Sequence, residues 1–339
     1  KLDEFRSRRP IDIIAKTNPI LIIDEPQSVE GKQTKERLKE FCPLLTLRYS
    51  ATHKADSIYN MVYRLDAMEA YNKRLVKKIA VKGITESGST ATDGFVYLES
   101  INLSKADPTA TIQFDYIGAK GLRKKTATVG IGYNLYDNSG ESGKLDEYKE
   151  GFVVKSIDGR DNSVEFLNGI KIFAGDVIGK VSEDQLRRIQ IRETILSHLE
   201  RERQLFHKGI KVLSLFFIDE VAKYKQYDEA GHPFNGIYAD MFEEEYNDIL
   251  SSMQREIGDE DYIRYLDAIS AHDTHAGYFS VDKKGKMTDS KLSDKKEGTS
   301  DDIDAYDLIM KNKELLLDRD PKKSPVRFIF SHSALREGW

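Results

Sequence analysis

Ile20-Leu21-Ile22-Ile23-Asp24-Glu25-Pro26-Gln27 is the stretch on which the reading of this chain turns. Four consecutive aliphatic residues leave no polar face, so they predict a strand buried on both sides in a parallel sheet. Two adjacent carboxylates end it, and open α/β sheets bind ligands at the carboxyl ends of their strands. Neighbouring side chains on extended backbone point apart, so the two acids divide labour. The first suits Mg²⁺ held through its water shell; the second suits a water that it orients or deprotonates. This is a Walker B reading, with Asp24 on the metal side and Glu25 as the base. The plain alternative is that Asp-Glu merely opens a loop.

Working outward, residues 1–80 read as α/β. Glu30 to Glu40 predicts a loop and helix, and Leu44 to Ser50 a second strand. Residues 55–80 carry Ile58, Met61, Val62, Leu65 and Met68 at helical spacing. Twenty-six residues after Asp24, at the end of the second strand, stands Ser50-Ala51-Thr52. Two hydroxyls flanking a small residue there can bridge an acid site to a neighbouring lobe.

Residues 81–180 hold 14 of the 23 glycines. The turn signals Asp93-Gly94, Asp158-Gly159 and Asn168-Gly169 separate short alternating runs such as Gly94 to Leu98, which predicts an inserted antiparallel β domain. From residue 181 the α/β pattern resumes. Ser182-Glu183-Asp184-Gln185 is a capping box. Leu186, Ile189, Ile195, Leu196 and Leu199 form a helical stripe, and Gly209 is the stop. Ile210 to Ile218 predicts a buried strand. Further strands are expected at Ala276–Val281 and Val326–Phe330, with a helix around Tyr306–Leu317. Lys283 to Asp302 is charged and poor in apolar residues, and is expected to be a mobile loop.

Several patterns fail as sites. Ile218-Asp219-Glu220 copies the strand-then-acid motif but opens a new α/β unit, so Asp219 and Glu220 read as loop residues. Gly175 to Val181 has three residues between its glycines and a Val after the Lys, so it is no P-loop. No P-loop occurs in the 339 residues. His272 and His275 lie three apart with no Cys or third His nearby, which argues against zinc. Asp259 to Asp261 and Asp301 to Asp304 read as solvated surface.

Composition sets the frame. With 39% hydrophobic and 32% charged residues the chain is a polar globular protein of two or three domains. No run approaches a membrane span. One cysteine, Cys42, excludes a disulfide scaffold and fits a reducing cytosol. Net charge is −5, but residues 1–80 hold 16 Lys/Arg against 11 Asp/Glu, whereas residues 219–310 hold 10 against 23. A polyanion meets the first part more readily. A start at Lys1 without Met, and a stop at Trp339 directly after Gly, lead us to expect a fragment.

Taken together, Pro19–Gly31, Leu47–His53, Gly209–Tyr224 and Phe328–Trp339 (FIFSHSALREGW) resemble the Res subunit of type III restriction–modification enzymes. That family is a superfamily 2 helicase-like DNA motor and nuclease. The resemblance implies two partial RecA-like parallel-sheet lobes, 1–80 and 181–339, around the β insert 81–180, with ATP between the lobes. It implies that Asp24 is the magnesium-associated acid and Glu25 the catalytic base for ATP hydrolysis. Gln27 would sense the nucleotide, and Ser50, Ala51 and Thr52 would couple hydrolysis to lobe movement. Ser331, Ser333, Arg336 and Gly338 would lie in the motif V loop between DNA and nucleotide. It further implies ATP and Mg²⁺ as cofactors, double-stranded DNA and a methyltransferase (Mod) subunit as partners, and a cytoplasmic, membrane-free protein. The P-loop, motif VI and nuclease domain of that family are absent from these residues, so this stretch alone is expected to be inactive. Two other readings stay open: another superfamily 2 DNA motor, such as a type I restriction translocase or repair helicase, and a non-catalytic DNA- or protein-binding module on a degenerate ATPase.

Overall fold

A computed structural model describes residues 8–26, 29, 31–50, 60–77, 80–86, 94–119, 121–141, 143–253, 259–281, 285–288 and 313–332. The chain forms two compact units, residues 1–82 and 83–339. Their make-up is mixed α/β, with parallel sheets in both and an antiparallel β region in the second.

The first unit runs α1 (Pro10–Ala15), β1 (Ile20–Asp24), α2 (Lys32–Lys39), β2 (Leu45–Tyr49) and α3 (Ala67–Asn72). β1 and β2 pair in parallel from Ile20↔Leu45 to Asp24↔Tyr49, with α2 as the crossover that parallel pairing requires. β1 is not buried on both faces as expected. Ile20 and Ile22 are 56% and 65% exposed, and Leu45, Leu47 and Tyr49 are exposed beside them. The parallel register puts these side chains on one face, and no described element of this unit covers it. The helix expected over 55–80 is also much shorter. Residues 51–59 lie outside the described residues, 61–66 are not helical, and helix begins only at Ala67. There Asp66 caps it by accepting the Glu69 N–H at 2.8 Å. Met61 and Val62 are exposed. A helical stripe needs an apolar surface to bury against, and Met61 and Val62 find none among the described residues.

The second unit opens with eight described strands: β3 (Thr85–Glu86), β4 (Val96–Asn102), β5 (Thr109–Gly118), β6 (Gly121–Val129), β7 (Val154–Asp158), β8 (Ser163–Phe166), β9 (Lys171–Phe173) and β10 (Asp176–Ile178). They form a five-stranded sheet in the order β3-β10-β4-β5-β6 and a three-stranded sheet β7-β8-β9. All pairs are antiparallel except β3 with β10. Val96, Leu98, Ile112 and Phe114 of one sheet and Val154, Val164, Phe166 and Ile172 of the other share one core. Gly175 and Gly179 flank β10 at φ +95° and +89°, so this stretch is strand and turn, as its failed P-loop spacing indicates.

α4 (Glu183–Phe206) follows, and then β11 (Ser214–Phe217), β12 (Lys225–Tyr227), β13 (Pro233–Asn235), α5 (Ile237–Ser252), α6 (Glu260–Asp267), β14 (His275–Tyr278), β15 (Ser280–Val281), β16 (Met287–Thr288), α7 (Lys313–Leu316) and β17 (Phe328–Ser331). The capping box at Ser182 forms in both directions, and Gly209 adopts φ +75° just past the end of α4. β11, β17 and β14 form a wholly parallel sheet with β17 in the middle.

α4 is buried on two sides. Ile191, Ile195 and Leu199 join α5 and the parallel sheet in one core, while Ile189 packs on Phe95, Tyr97 and Val177 of the β region. That second contact explains why Phe95 to Leu98 are all at most 1% exposed where the sequence alternation predicts one wet face. The strand expected over Ile210–Ile218 shrinks to Ser214–Phe217, and Ile210 and Phe217 are half exposed. β17 offers only four residues to pair with, and the Lys211 ammonium is tied to the Asp318 and Ser324 carbonyls and the Ser324 hydroxyl, each at 2.8 Å. Within the expected mobile loop, Met287–Thr288 pairs with Ser280–Val281. The remainder of that loop beyond 285–288, and residues 306–312 of the helix expected around Tyr306–Leu317, lie outside the described residues, and the described end of that helix is α7 (Lys313–Leu316). No helix among the described residues is long and apolar enough to cross a membrane.

Candidate functional site

The parallel register of β1 and β2 sets the first site, because it brings both strands to their carboxyl ends side by side. Asp24 lies opposite Tyr49, so the next residues, Glu25 and Ser50, emerge together. The Ser50 hydroxyl donates to Glu25 Oε2 at 3.1 Å, and the Glu25 N–H donates to the Tyr49 carbonyl at 2.9 Å. Residues 25 positions apart in sequence thus meet at one strand edge. Glu25 also has φ +47°. A non-glycine residue in the left-handed region costs on the order of 1–3 kcal/mol and persists only where its surroundings hold it. The backbone bond to Tyr49 and the hydroxyl of Ser50 are such a hold. Asp24 and Glu25 are exposed, whereas Pro26 behind them is buried. The motif thus presents two carboxylates to solvent from an anchored turn.

The remaining expected site residues are less fully placed. Gln27, Ala51, Thr52, Ser333, Arg336 and Gly338 lie outside the described residues. Ser331 was expected in a loop, but it is the last residue of β17 and fully buried. Its carbonyl accepts the Ile218 N–H at 3.0 Å, extending the ladder. Its hydroxyl finds no hydrogen-bond partner among the described residues. Asp219 and Glu220 are strand-end residues paired locally with Lys223, and the Lys223 ammonium holds the Asp219 carboxyl below its ordinary range.

Two arrangements escape a linear reading. Arg192 of α4 is 2% exposed. It binds Glu99 of β4 through Nε, and Glu245 and Asp248 of α5 through Nη1 at 2.7 Å each. At the next residue of α4, Glu193 accepts the Tyr97 hydroxyl. The β region is therefore joined to α4 by buried polar contacts as well as by apolar packing. The second is a group around Glu243 of α5. His272 Nδ1 lies 3.0 Å and His275 Nε2 3.3 Å from Glu243 Oε1, and the three ligand atoms all fall within 4.8 Å of one another. The His-x-x-His spacing was visible in sequence; the third member, 29 residues upstream of His272, was not.

With this geometry in hand, the comparisons with known proteins are direct. Over 97% of its length the chain is 32% identical to the Type III restriction-modification enzyme EcoP15I Res subunit of Escherichia coli, covering 31% of that protein. It is 30% identical to the EcoPI Res subunit of Escherichia phage P1, with the same coverage. It is 26% identical to the StyLTI Res subunit of Salmonella typhimurium, covering 33%. No family model matches the chain, and no solved structure does. The fold is mixed α/β, with two acidic residues at the carboxyl end of a parallel strand. The matches place it among the Res-like proteins of type III restriction–modification enzymes, of whose length it spans about a third.

Proposed function

We propose that this chain is the ATP-driven motor part of a type III restriction endonuclease subunit, hydrolysing ATP to move on, or switch state on, duplex DNA before cleavage. The observation that carries the reading is the hydrogen bond from Ser50 to Glu25 at the carboxyl ends of two adjacent parallel strands. Glu25 is the base that orients and deprotonates the attacking water. Ser50 holds its carboxylate in one orientation, so any shift of the end of β2 is felt by the base. This is the local device by which Ser50, with Ala51 and Thr52, would couple hydrolysis to movement.

The residues present fit a magnesium nucleotide. Asp24 and Glu25 offer exposed carboxylates at adjacent positions, the hard donors that Mg²⁺ takes through its water shell. When bound, Mg²⁺ neutralises charge on the phosphate oxygens. Asp24 would hold the ion's waters, and Gln27 would contact the nucleotide. Ser333, Arg336 and Gly338 would form the loop that faces DNA and nucleotide, with Ser331 anchoring it as the buried last residue of β17. Double-stranded DNA and a methyltransferase subunit are the proposed partners, and the cytoplasm the proposed compartment. In domain terms, 1–80 and 181–339 would act as motor lobes and 81–180 as the insert.

The test uses the intact parent protein. Glu25→Gln keeps the shape and removes the base, so DNA-stimulated kcat is expected to fall roughly 10²–10⁴-fold with ATP binding retained. Ser50→Ala should lower kcat in the same direction by less. Undiminished turnover in Glu25→Gln rejects Glu25 as the base. No ATPase in the wild-type protein with its partners rejects the motor reading.

A further inference from the structure

Of three consecutive glutamates on α5, two face α4 and one does not, because successive helical residues turn by about 100°. Glu244 and Glu245 reach Arg188 and Arg192 of α4. Glu243 instead faces the turn at 272–274 and the first residue of β14. There it meets two imidazoles with no cationic side chain from Lys or Arg in the hydrogen-bond set.

Two of the three ligand-atom separations match those of a metal site. A tetrahedral centre with bonds of about 2.0–2.1 Å to its ligands places ligand atoms about 3.3 Å apart. Glu243 Oε1 stands 3.0 Å from His272 Nδ1 and 3.3 Å from His275 Nε2. The surrounding groups are arranged to hold such ligands. The Tyr224 hydroxyl is 2.9 Å from His275 Nδ1. When Nδ1–H donates to that oxygen, the Nε2 lone pair is left facing Glu243. Asn235 donates to Glu243 Oε1 at 2.8 Å. The His275 ring is packed by Phe242 at 4.8 Å and by Tyr224 at 5.6 Å. Metal-binding histidines and carboxylates need such outer partners to fix tautomer and orientation.

Hydrogen bonding alone accounts poorly for this convergence. Without an ion, Asn235, His272 and His275 all direct an N–H at one carboxylate oxygen, which has two lone pairs. A cation among the three ligand atoms replaces two of those protons with metal–nitrogen bonds. Access is built in, since His272 is 65% exposed whereas His275 is 3% exposed. The acidic bias of residues 219–310, with 23 Asp/Glu against 10 Lys/Arg, raises the local cation concentration.

We propose that Glu243, His272 and His275 form a zinc-type divalent cation site, open to solvent at its remaining position, that clips α5 to the start of β14. Two imidazoles and one carboxylate select Zn²⁺ and its neighbours over the oxygen-seeking Mg²⁺ and Ca²⁺. The site is independent of the Asp24–Glu25 reading and requires no ATP chemistry.

The experiment titrates untagged, chelator-stripped intact protein with Co²⁺, followed by its visible absorption, and then displaces it with Zn²⁺. One equivalent of saturable cobalt with the strong absorption of a low-coordinate nitrogen/oxygen site is expected. Glu243→Gln and His272→Asn should each abolish that signal, and Tyr224→Phe should weaken affinity roughly 10–100-fold. Because His272 is exposed, its variant is expected to keep the wild-type circular dichroism. Zinc should raise the melting temperature of the wild type but not of His272→Asn. Absence of saturable cobalt binding overturns the proposal. So does stoichiometric binding that survives in Glu243→Gln and His272→Asn, which would put the ion elsewhere.

Discussion

Arg327→Met is the most informative perturbation of the second unit. Arg327 sits just before β17 and is fully buried. Its Nη1 donates to Glu202 Oε2 at 2.7 Å, its Nε to Thr274 Oγ1 at 3.0 Å, and its Nη2 to the Tyr246 hydroxyl. Glu202 is 2% exposed and also accepts from Tyr262 at 3.0 Å. Burial opposes charge on both partners, but the Glu202 carboxylate keeps Arg327 protonated. Methionine fills much of the volume and removes the charge, so the main loss is an uncompensated buried carboxylate. Breaking such a pair from one side costs about 3–5 kcal/mol. At ~2–4 °C per kcal/mol for a unit of this size, melting should drop by roughly 6–20 °C, read by scanning calorimetry. Arg327→Met/Glu202→Gln removes the stranded charge and should recover at least half of that loss. The reasoning fails if the single variant costs under about 1 kcal/mol, below the range for a broken buried pair. It also fails if the double variant is no more stable than the single one.

Two further outcomes follow from the same core and its joint to the β region. Burial holds His198 below its ordinary value despite the nearby Glu202. The unfolded chain therefore takes up a proton first, and stability should decline as pH falls below about 6.5. Glu202 is also held low; burial raises it, but the His198 hydrogen bond and the Arg327 charge outweigh that. Its contribution is present above about 4.3 and lost as pH falls through its folded value. Urea midpoints at pH 7.5 and 5.5 should differ in the wild type and much less in His198→Gln; an equal difference in both would exclude His198. At the joint, Arg192→Met leaves Glu99 and Glu245 without their shared cation. Hydrogen exchange should then rise in β4 and the first half of α4 while β7–β9 stays protected, and unchanged protection of β4 would show that Arg192 does not secure the joint.

The strand-end acid site was legible because its parts are short and local. An apolar run, two acids and a small hydroxyl triplet at a fixed interval identify two strand ends, and parallel pairing then brings Glu25 to Ser50. The capping box at Ser182 was legible for the same reason, since a cap involves residues three apart. The helix over 55–80 was not, because spacing shows only that an apolar face is available. Whether it pays to form depends on something to bury against. β1 misled in the same way: Ile20 to Ile23 predict cover on both faces, and among the described residues of this unit one face has no cover.

By itself the sequence determined the α/β alternation, the β-rich middle, the Asp24–Glu25 strand end and the resemblance to Res subunits, all properties of adjacent or regularly spaced residues. Only the tertiary structure decided that α4 lies between the β region and the parallel sheet, that Arg192 and Arg327 are buried hubs, and that Glu243 joins His272 and His275. Those partners are separated by 29 to 125 positions. A charged residue reads as surface until the fold supplies its counter-charge. Desolvation and pairing are set by which elements meet, and that is a property of packing.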